Sequence, residues 1–329
     1  MMHIAARKCR TLAATVGLLL GFAVSPAHAQ TSGKMWRIGV LMPERPGAFE
    51  EIVGGLRDLQ YIEGRNTIFE VRRAKRSEQF PALAADLVRS HPDVVVAVSG
   101  TAALALRTAT KTIPIVMATS GDAVSQGLVA SLARPGGNVT GFTVISPDLV
   151  AKRLQILKEA VPRAKRIGVL GCPREGEAVN TRQWAEVQRA AKAMQVQLVQ
   201  IFIRRIEELP ASFARAAKQG IDAVLVFDCS VLNPPESVTG LLNDARVPAI
   251  YAGPRFVQVG GLMSYGANSI ELYRRSATFV DKILKGAKPA DLPVEQPTRF
   301  ELTINRKTAA SLGVSIPPAL QVRVDLMID

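Results

Sequence analysis

Arg37-Ile38-Gly39-Val40-Leu41-Met42-Pro43 returns about 129 residues later as Arg166-Ile167-Gly168-Val169-Leu170-Gly171-Cys172-Pro173. The same offset carries Asp93-Val94-Val95-Val96-Ala97-Val98-Ser99 onto Asp222-Ala223-Val224-Leu225-Val226-Phe227-Asp228. Thr112-Ile113-Pro114-Ile115-Val116 has a near counterpart in Arg246-Val247-Pro248-Ala249-Ile250. One α/β unit therefore occurs twice. Solenoid repeats run to about 20–50 residues, so a repeat this long reads as two lobes of one architecture. Two similar lobes imply a cleft, and a cleft implies a ligand.

Working outward from these runs, short β-branched segments fall at 37–42, 67–72, 93–98, 113–118 and 138–143 in the first unit. Helical patterns at 48–60, 78–89, 102–110 and 123–133 separate them. The second unit predicts strands at 166–171, 197–203, 223–228 and 248–251, with helices near 177–194, 209–219 and 235–245. The central strands are apolar throughout rather than alternating, as parallel strands covered on both faces are. The fold class is α/β: two similar doubly wound parallel-sheet lobes joined by a hinge. A helix at 148–160 bridges the lobes, and after Gly253 the symmetry breaks, with a strand at 261–265, a helix at 269–284 and a strand at 300–305. The expected division is residues 36–146 plus about 253–286 for the first lobe, and 147–252 plus about 287–329 for the second. A tail that recrosses between lobes makes a hinge that serves closure around a ligand.

The first 29 residues stand outside this pattern. Arg7, Lys8 and Arg10 form a basic region, Leu12 to Val24 an apolar one, and Ala27-His28-Ala29 a small-x-small cleavage site. This reads as a secretory signal peptide cleaved after Ala29. The apolar run is shorter than the ~18 residues a membrane span needs, and Cys9 precedes it, which excludes the lipid-anchor pattern. The expectation is an exported, periplasmic chain.

The whole chain of 329 residues carries a formal charge of +13, about +10 without the leader. Its basic residues are scattered along helices rather than gathered in a stripe, which argues against nucleic acid as a partner. The densest cluster is Arg72, Arg73, Lys75 and Arg76; it reads as a solvated patch, with an acidic partner, a membrane surface or an anion as the alternatives. Two cysteines outlast the leader, Cys172 and Cys229, both at ends of predicted strands. In a doubly wound sheet those strands are neighbours, so a disulfide and a pair of buried thiols both stay open.

Catalytic tools are scarce. Outside the leader His91 is the only histidine, beside Pro92 at a helix-to-strand turn. Neither a Ser/His/Asp triad nor a histidine-rich metal site can be built from it. No GxSxG, HExxH, Walker A or GxGxxG loop is present. The chain is not expected to be an enzyme, and neither a cofactor nor a metal is expected.

The strand ends instead carry small and polar residues, where open α/β sheets bind ligands. The first unit offers Met42, Pro43, Ser99, Gly100, Thr101, Ala102, Ser120, Gly121, Asp122 and Thr143. An apolar helix follows Ser99-Gly100-Thr101, so its free backbone N–H groups suit a carboxylate or other anion; simple helix capping is the alternative. Asp122 either caps its own helix or answers a ligand ammonium. The second unit offers Cys172, Asp228 and Tyr251; a capping or turn role is the alternative for Asp228, and packing at the hinge for Tyr251.

Four separated segments then resemble one family: Asp58-Leu59-Gln60-Tyr61-Ile62-Glu63-Gly64-Arg65-Asn66; Gly127-Leu128-Val129-Ala130-Ser131-Leu132-Ala133-Arg134-Pro135-Gly136-Gly137-Asn138-Val139-Thr140-Gly141; Gly260-Gly261-Leu262-Met263-Ser264-Tyr265-Gly266; and Leu292-Pro293-Val294-Glu295-Gln296-Pro297-Thr298. They are similar to the ABC transporter substrate-binding proteins whose characterised members take tryptophan or tyrosine. The resemblance implies a type I periplasmic binding protein fold, a small-molecule solute held between the lobes, and delivery to an ABC permease in the inner membrane by a monomer. It places the family's ligand-contacting glycine-threonine turn on Gly100 and Thr101, and its Gly-Asp-Pro-Val segment on Gly121, Asp122, Ala123 and Val124. Ala123 replaces the usual proline, and Gly171-Cys172-Pro173 stands where an Asn-Pro is common. Both departures lie near the expected cleft, so the resemblance carries the fold and not the ligand's identity. A periplasmic sensor presenting a closed surface to a membrane receptor needs the same cleft and is the rival reading.

Overall fold

The computed structural model describes residues 34–44, 47–144, 148–172, 178–227, 229, 231–232 and 234–329. The expected leader and Asp228 lie outside the described residues. The first α/β unit runs β1 (Trp36–Pro43), α1 (Ala48–Asp58), β2 (Thr67–Ala74), α2 (Phe80–Arg89), β3 (Val94–Ala97), α3 (Gly100–Ala109), β4 (Ile115–Met117) and β5 (Val139–Gly141). The second runs α4 (Asp148–Ala160), β6 (Arg166–Gly171), α5 (Ala178–Ala193), β7 (Gln197–Phe202), α6 (Leu209–Ala217), β8 (Ala223–Val226), α7 (Pro235–Asp244), β9 (Ala249–Tyr251), α8 (Pro254–Gln258) and β10 (Met263–Ala267). The chain ends with α9 (Ser269–Leu284), β11 (Phe300–Asn305), α10 (Arg306–Ser311), α11 (Pro318–Gln321) and β12 (Leu326–Ile328).

The repeat read in the sequence is a repeat of topology. The first sheet has the order β2-β1-β3-β4-β5 and is parallel throughout. The second contains β7-β6-β8-β9-β10, the same order strand for strand, and is extended by β11 and β12. β11 joins β10 antiparallel, and β12 joins β11 parallel. Each sheet is buried on both faces. Val40, Val94 and Val96 lie on one side of the first with α1 and α9, and Leu41, Val95 and Ala97 lie on the other with α2 and α3. Ile167, Val169 and Leu225 face α4 and α5 in the second, while Leu170, Val224 and Val226 face α6 and α7. This double burial explains why the central strands read as unbroken apolar runs.

The tail divides differently from the sequence reading. β10 lies within the stretch 253–286 assigned to the first lobe, yet it pairs with β9 and β11 in the second sheet. Of that stretch it is α9 that packs against α1 of the first unit. The apolar face of α9, with Leu272, Ala277, Phe279 and Val280, explains the attachment. Residues 292–295, assigned to the second lobe, sit on the first sheet instead: Glu295 bridges Phe142, and Val294 N donates to Leu132 O. The chain thus leaves the first sheet after Phe142, enters it again after Ala267 with α9, and returns to the second sheet at β11.

Glycines mark two of these passages. At Gly141 (φ +119°) a Cβ would lie 2.2 Å from Met117 O, and at Gly266 one would lie 1.9 Å from Ala252 O. The fifth strand of each unit can approach its neighbour's carbonyl only without a side chain there. Arg153 of α4 is 5% exposed; its Nε donates to Tyr265 O at 2.7 Å and its Nη2 to Ala252 O at 3.3 Å. A buried guanidinium thus ties α4 to the ends of β9 and β10.

Candidate functional site

The carboxyl ends of β1, β3 and β4 bring most of the expected first-lobe residues to one sheet edge. Ser99 leaves β3 extended and caps α3, its Oγ accepting from Ala102 N at 3.1 Å. Ala103 N donates to Ser99 O. Among the described residues the amides of Gly100 and Thr101 have no protein partner. Two free donors at the positive end of a ten-residue helix have the chemistry that suits an anion.

The helix expected at 123–133 is absent; the segment is a run of turns. Asp122 Oδ1 accepts from Ser125 N at 3.0 Å, Leu128 N reaches back to Ala123 O, and Gly127 adopts φ +65°. A left-handed residue after a single turn stops helix growth despite the apolar spacing of Leu128, Val129 and Leu132. Asp122 therefore caps a turn, not a helix, and stays partly exposed at the edge.

This change of conformation brings in a residue that the sequence reading missed. Gln126 rests against the α3 turn, so that a Cβ on Gly100 would lie 2.6 Å from Gln126 Oε1. That oxygen is buried and has no protein partner. A glutamine inside a supposed helix gives no signal of this in one sequence.

The remaining first-lobe residues divide by exposure. Pro43, Ser99, Gly100, Thr101, Gly121 and Asp122 are partly exposed. Met42 and Ala102 are fully buried. Ser120 and Thr143 are buried and spend their hydroxyls on the loop: Ser120 Oγ donates to Phe142 O at 3.1 Å, and Thr143 Oγ1 donates to Gly121 O while accepting from Ala123 N. These bonds hold the Gly121–Asp122 turn in place.

In the second unit Cys172 and Cys229 form a disulfide with Cα atoms 6.2 Å apart, joining the ends of neighbouring strands β6 and β8. Tyr251 does not reach an open edge. It is 0% exposed, stacks on Phe256 at 4.8 Å, and packs so closely on Gly261 that a Cβ there would lie 2.6 Å from its ring. Its hydroxyl has no protein partner, and burial pushes its pKa upward. Register places Tyr251 beside Ser264 and Ser264 opposite Thr303; the three residues stand in one row across β9, β10 and β11, each with a buried hydroxyl that has no protein partner.

His91 is exposed in a left-handed turn. In the basic cluster at 72–76, Arg72 Nε donates to Asp86 at 2.6 Å and Arg73 lies over Phe49, while Lys75 and Arg76 are exposed. No cluster of three metal-ligating side chains occurs among the described residues, and no helix among them is long and apolar enough to cross a membrane.

The sequence is 28% identical over 276 residues to a tyrosine-binding protein of Clostridioides difficile (strain R20291), covering 83% of this chain and 78% of that one. A crystal structure of a conserved domain protein from Vibrio cholerae superposes with a TM-score of 0.81 at 29% identity, covering 89% of this chain and 100% of the other. An ABC domain in complex with L-Trp from Streptococcus pneumonia gives a TM-score of 0.81 at 26% identity, covering 89% and 99%. The family of ABC transporter substrate binding proteins matches residues 40–327. Duplicated topology, a donor-rich sheet edge and a match spanning nearly the whole described chain agree: this protein belongs to the ABC transporter substrate-binding family.

Proposed function

We propose that the protein is the exported, periplasmic solute-binding component of an ABC importer, without catalytic activity, and that its solute is an amino acid or a related carboxylate. The observation that carries this is the pair of unpartnered amides at Gly100 and Thr101, set at the N-terminus of α3 on the same sheet edge as the partly exposed Asp122. The amides suit a carboxylate and Asp122 suits an ammonium, which together describe an α-amino acid. The relatives named for tyrosine and crystallised with L-Trp fall in the same chemical class.

In this reading the solute first lodges on the first lobe at Ser99, Gly100, Thr101, Gly121 and Asp122, with Gln126 behind the turn. The second lobe then closes over it from the carboxyl ends of β6 and β8. Closure is driven only by the solute's greater affinity for the closed form. A permease in the membrane reads that closed surface and takes the solute. Tyr251, buried behind its strand, supports the second lobe and does not touch the solute.

The test is a thermal-shift panel of amino acids, aromatic acids and small anions on protein stripped of solute by unfolding and refolding. A solute at about 100 times its Kd adds about 2.7 kcal/mol. An amino acid that raises the midpoint supports the reading; a panel in which only non-carboxylate solutes bind contradicts the assigned chemistry.

A further inference from the structure

The internal repeat supplies its own control for a second site, at the opposite edge of the second sheet from the strand ends discussed above. Around the amino ends of β6, β7 and β8 a cavity of about 380 Å³ is lined by Arg163, Lys165, Arg166, Gln195, Gln197, Gly220 and Asp222. By the 129-residue offset Arg163, Lys165, Arg166 and Asp222 correspond to Lys34, Trp36, Arg37 and Asp93. The two aspartates do the same structural work. Asp93 accepts from Arg37 N, and Asp222 accepts from Lys165 N and Arg166 N.

The charges around them differ. In the first unit Lys34 pairs with Asp93 at 3.3 Å and Arg37 with Glu70 at 3.2 Å, so each cation meets a carboxylate. In the second, the strand register puts Val199 where Glu70 stands, and Arg166 makes do with the neutral Gln197 and the carbonyl of Gln219. Lys165 replaces Trp36, which adds a cation. Among the described residues the side chains of Arg163 and Lys165 have no partner at all. Three cations thus surround a cavity holding one carboxylate, and that carboxylate is already bonded to two backbone amides.

We propose that this cavity is an anion site for a phosphate group, with Arg163 and Lys165 as its ligands and Arg166 as the preorganised wall. A guanidinium and an ammonium converging on one pocket match a tetrahedral oxyanion, the first by paired hydrogen bonds and the second by point charge. The phosphate comes either from a free phosphate ester or from the headgroup of an anionic phospholipid. The site lies on the amino-end side of the sheet, so it is independent of solute capture at the carboxyl ends.

Purified protein, the Arg163→Ala/Lys165→Ala pair and a charge-matched control pair, Lys288→Ala/Lys307→Ala, are compared at one fixed ionic strength. All four side chains are exposed, so folding is expected to survive, and a thermal midpoint checks it. One arm titrates inorganic phosphate and glycerol phosphate by calorimetry. The other measures co-sedimentation with vesicles of phosphatidylglycerol in phosphatidylcholine. Saturable phosphate binding that weakens roughly tenfold per cation removed at the cavity, with the control pair unaffected, supports a free phosphate ligand. Binding confined to the phosphatidylglycerol vesicles, lost in the cavity pair and kept in the control, supports the headgroup. No binding in either arm, or equal losses in the two pairs, overturns the proposal.

Discussion

Replacing Tyr251 with phenylalanine separates a core tyrosine from a solute-binding one. The ring is 0% exposed and stacked on Phe256, and it lies against Gly261, so Tyr251→Phe keeps every apolar contact and removes one oxygen. That oxygen is buried with no protein partner, as are those of Ser264 and Thr303 in the same row. A buried hydroxyl left unsatisfied costs about 1–3 kcal/mol. The variant is therefore expected to gain stability of that order, a rise of a few degrees in Tm, measured by urea unfolding at neutral pH. Solute affinity, measured by calorimetry on stripped protein, should not change. A loss of more than about 1 kcal/mol, the worth of a satisfied hydrogen bond, refutes the account of the row. A weakened solute refutes the placement of Tyr251 in the core.

Other perturbations probe other levels of the structure. Gly266→Ala forces a Cβ to within 1.9 Å of Ala252 O, so a loss of about 1–3 kcal/mol is expected in denaturant unfolding. Gly100→Ala meets only the flexible end of Gln126; the protein should fold normally while losing about tenfold in solute affinity, equivalent to about 1.4 kcal/mol. The disulfide closes a separation of 57 residues; the chain-entropy relation makes its removal in Cys172→Ala/Cys229→Ala cost roughly 4 kcal/mol. Reductant should then destabilise the parent protein and leave the variant unchanged. Tyr61 donates to Asp281 at 3.0 Å, and burial, aided by that carboxylate, holds its pKa at about 12 against an ordinary 10. A raised folded-state pKa makes its contribution complete below pH 10 and lost as pH climbs from 10 to 12. Stability should fall in that window in the parent, and the Tyr61→Phe variant should lack this component.

The strands were legible because a parallel sheet covered on both faces leaves an unmistakable apolar run, and the repeat supplied each one twice. What misled the reading was local backbone chemistry. Residues 123–133 have helical spacing but carry Gly127 at φ +65°, and only the folded loop shows that the turn stops there. β12 is a three-residue edge strand whose existence depends on β11 already being in place, so no pattern announces it. The allocation of β10 and α9 to different units is a tertiary fact, decided by edge pairing for one and by an apolar helix face for the other. At the candidate site, Ser99, Gly100, Thr101, Gly121 and Asp122 were visible as small polar residues at strand ends. Ser120, Thr143 and Tyr251 looked the same in sequence, and exposure and hydrogen bonding alone set them apart. Gln126 was invisible because its role rests on a loop conformation that the sequence disguised.

The central claim is that a solute binds at the carboxyl edge of the first sheet. Amide hydrogen exchange on the stripped protein, with and without a saturating amino acid from the panel, tests it most directly. The account predicts new protection at 99–102 and 119–126, with no change around 163–166. Protection confined to other segments, or none with solute bound, contradicts it.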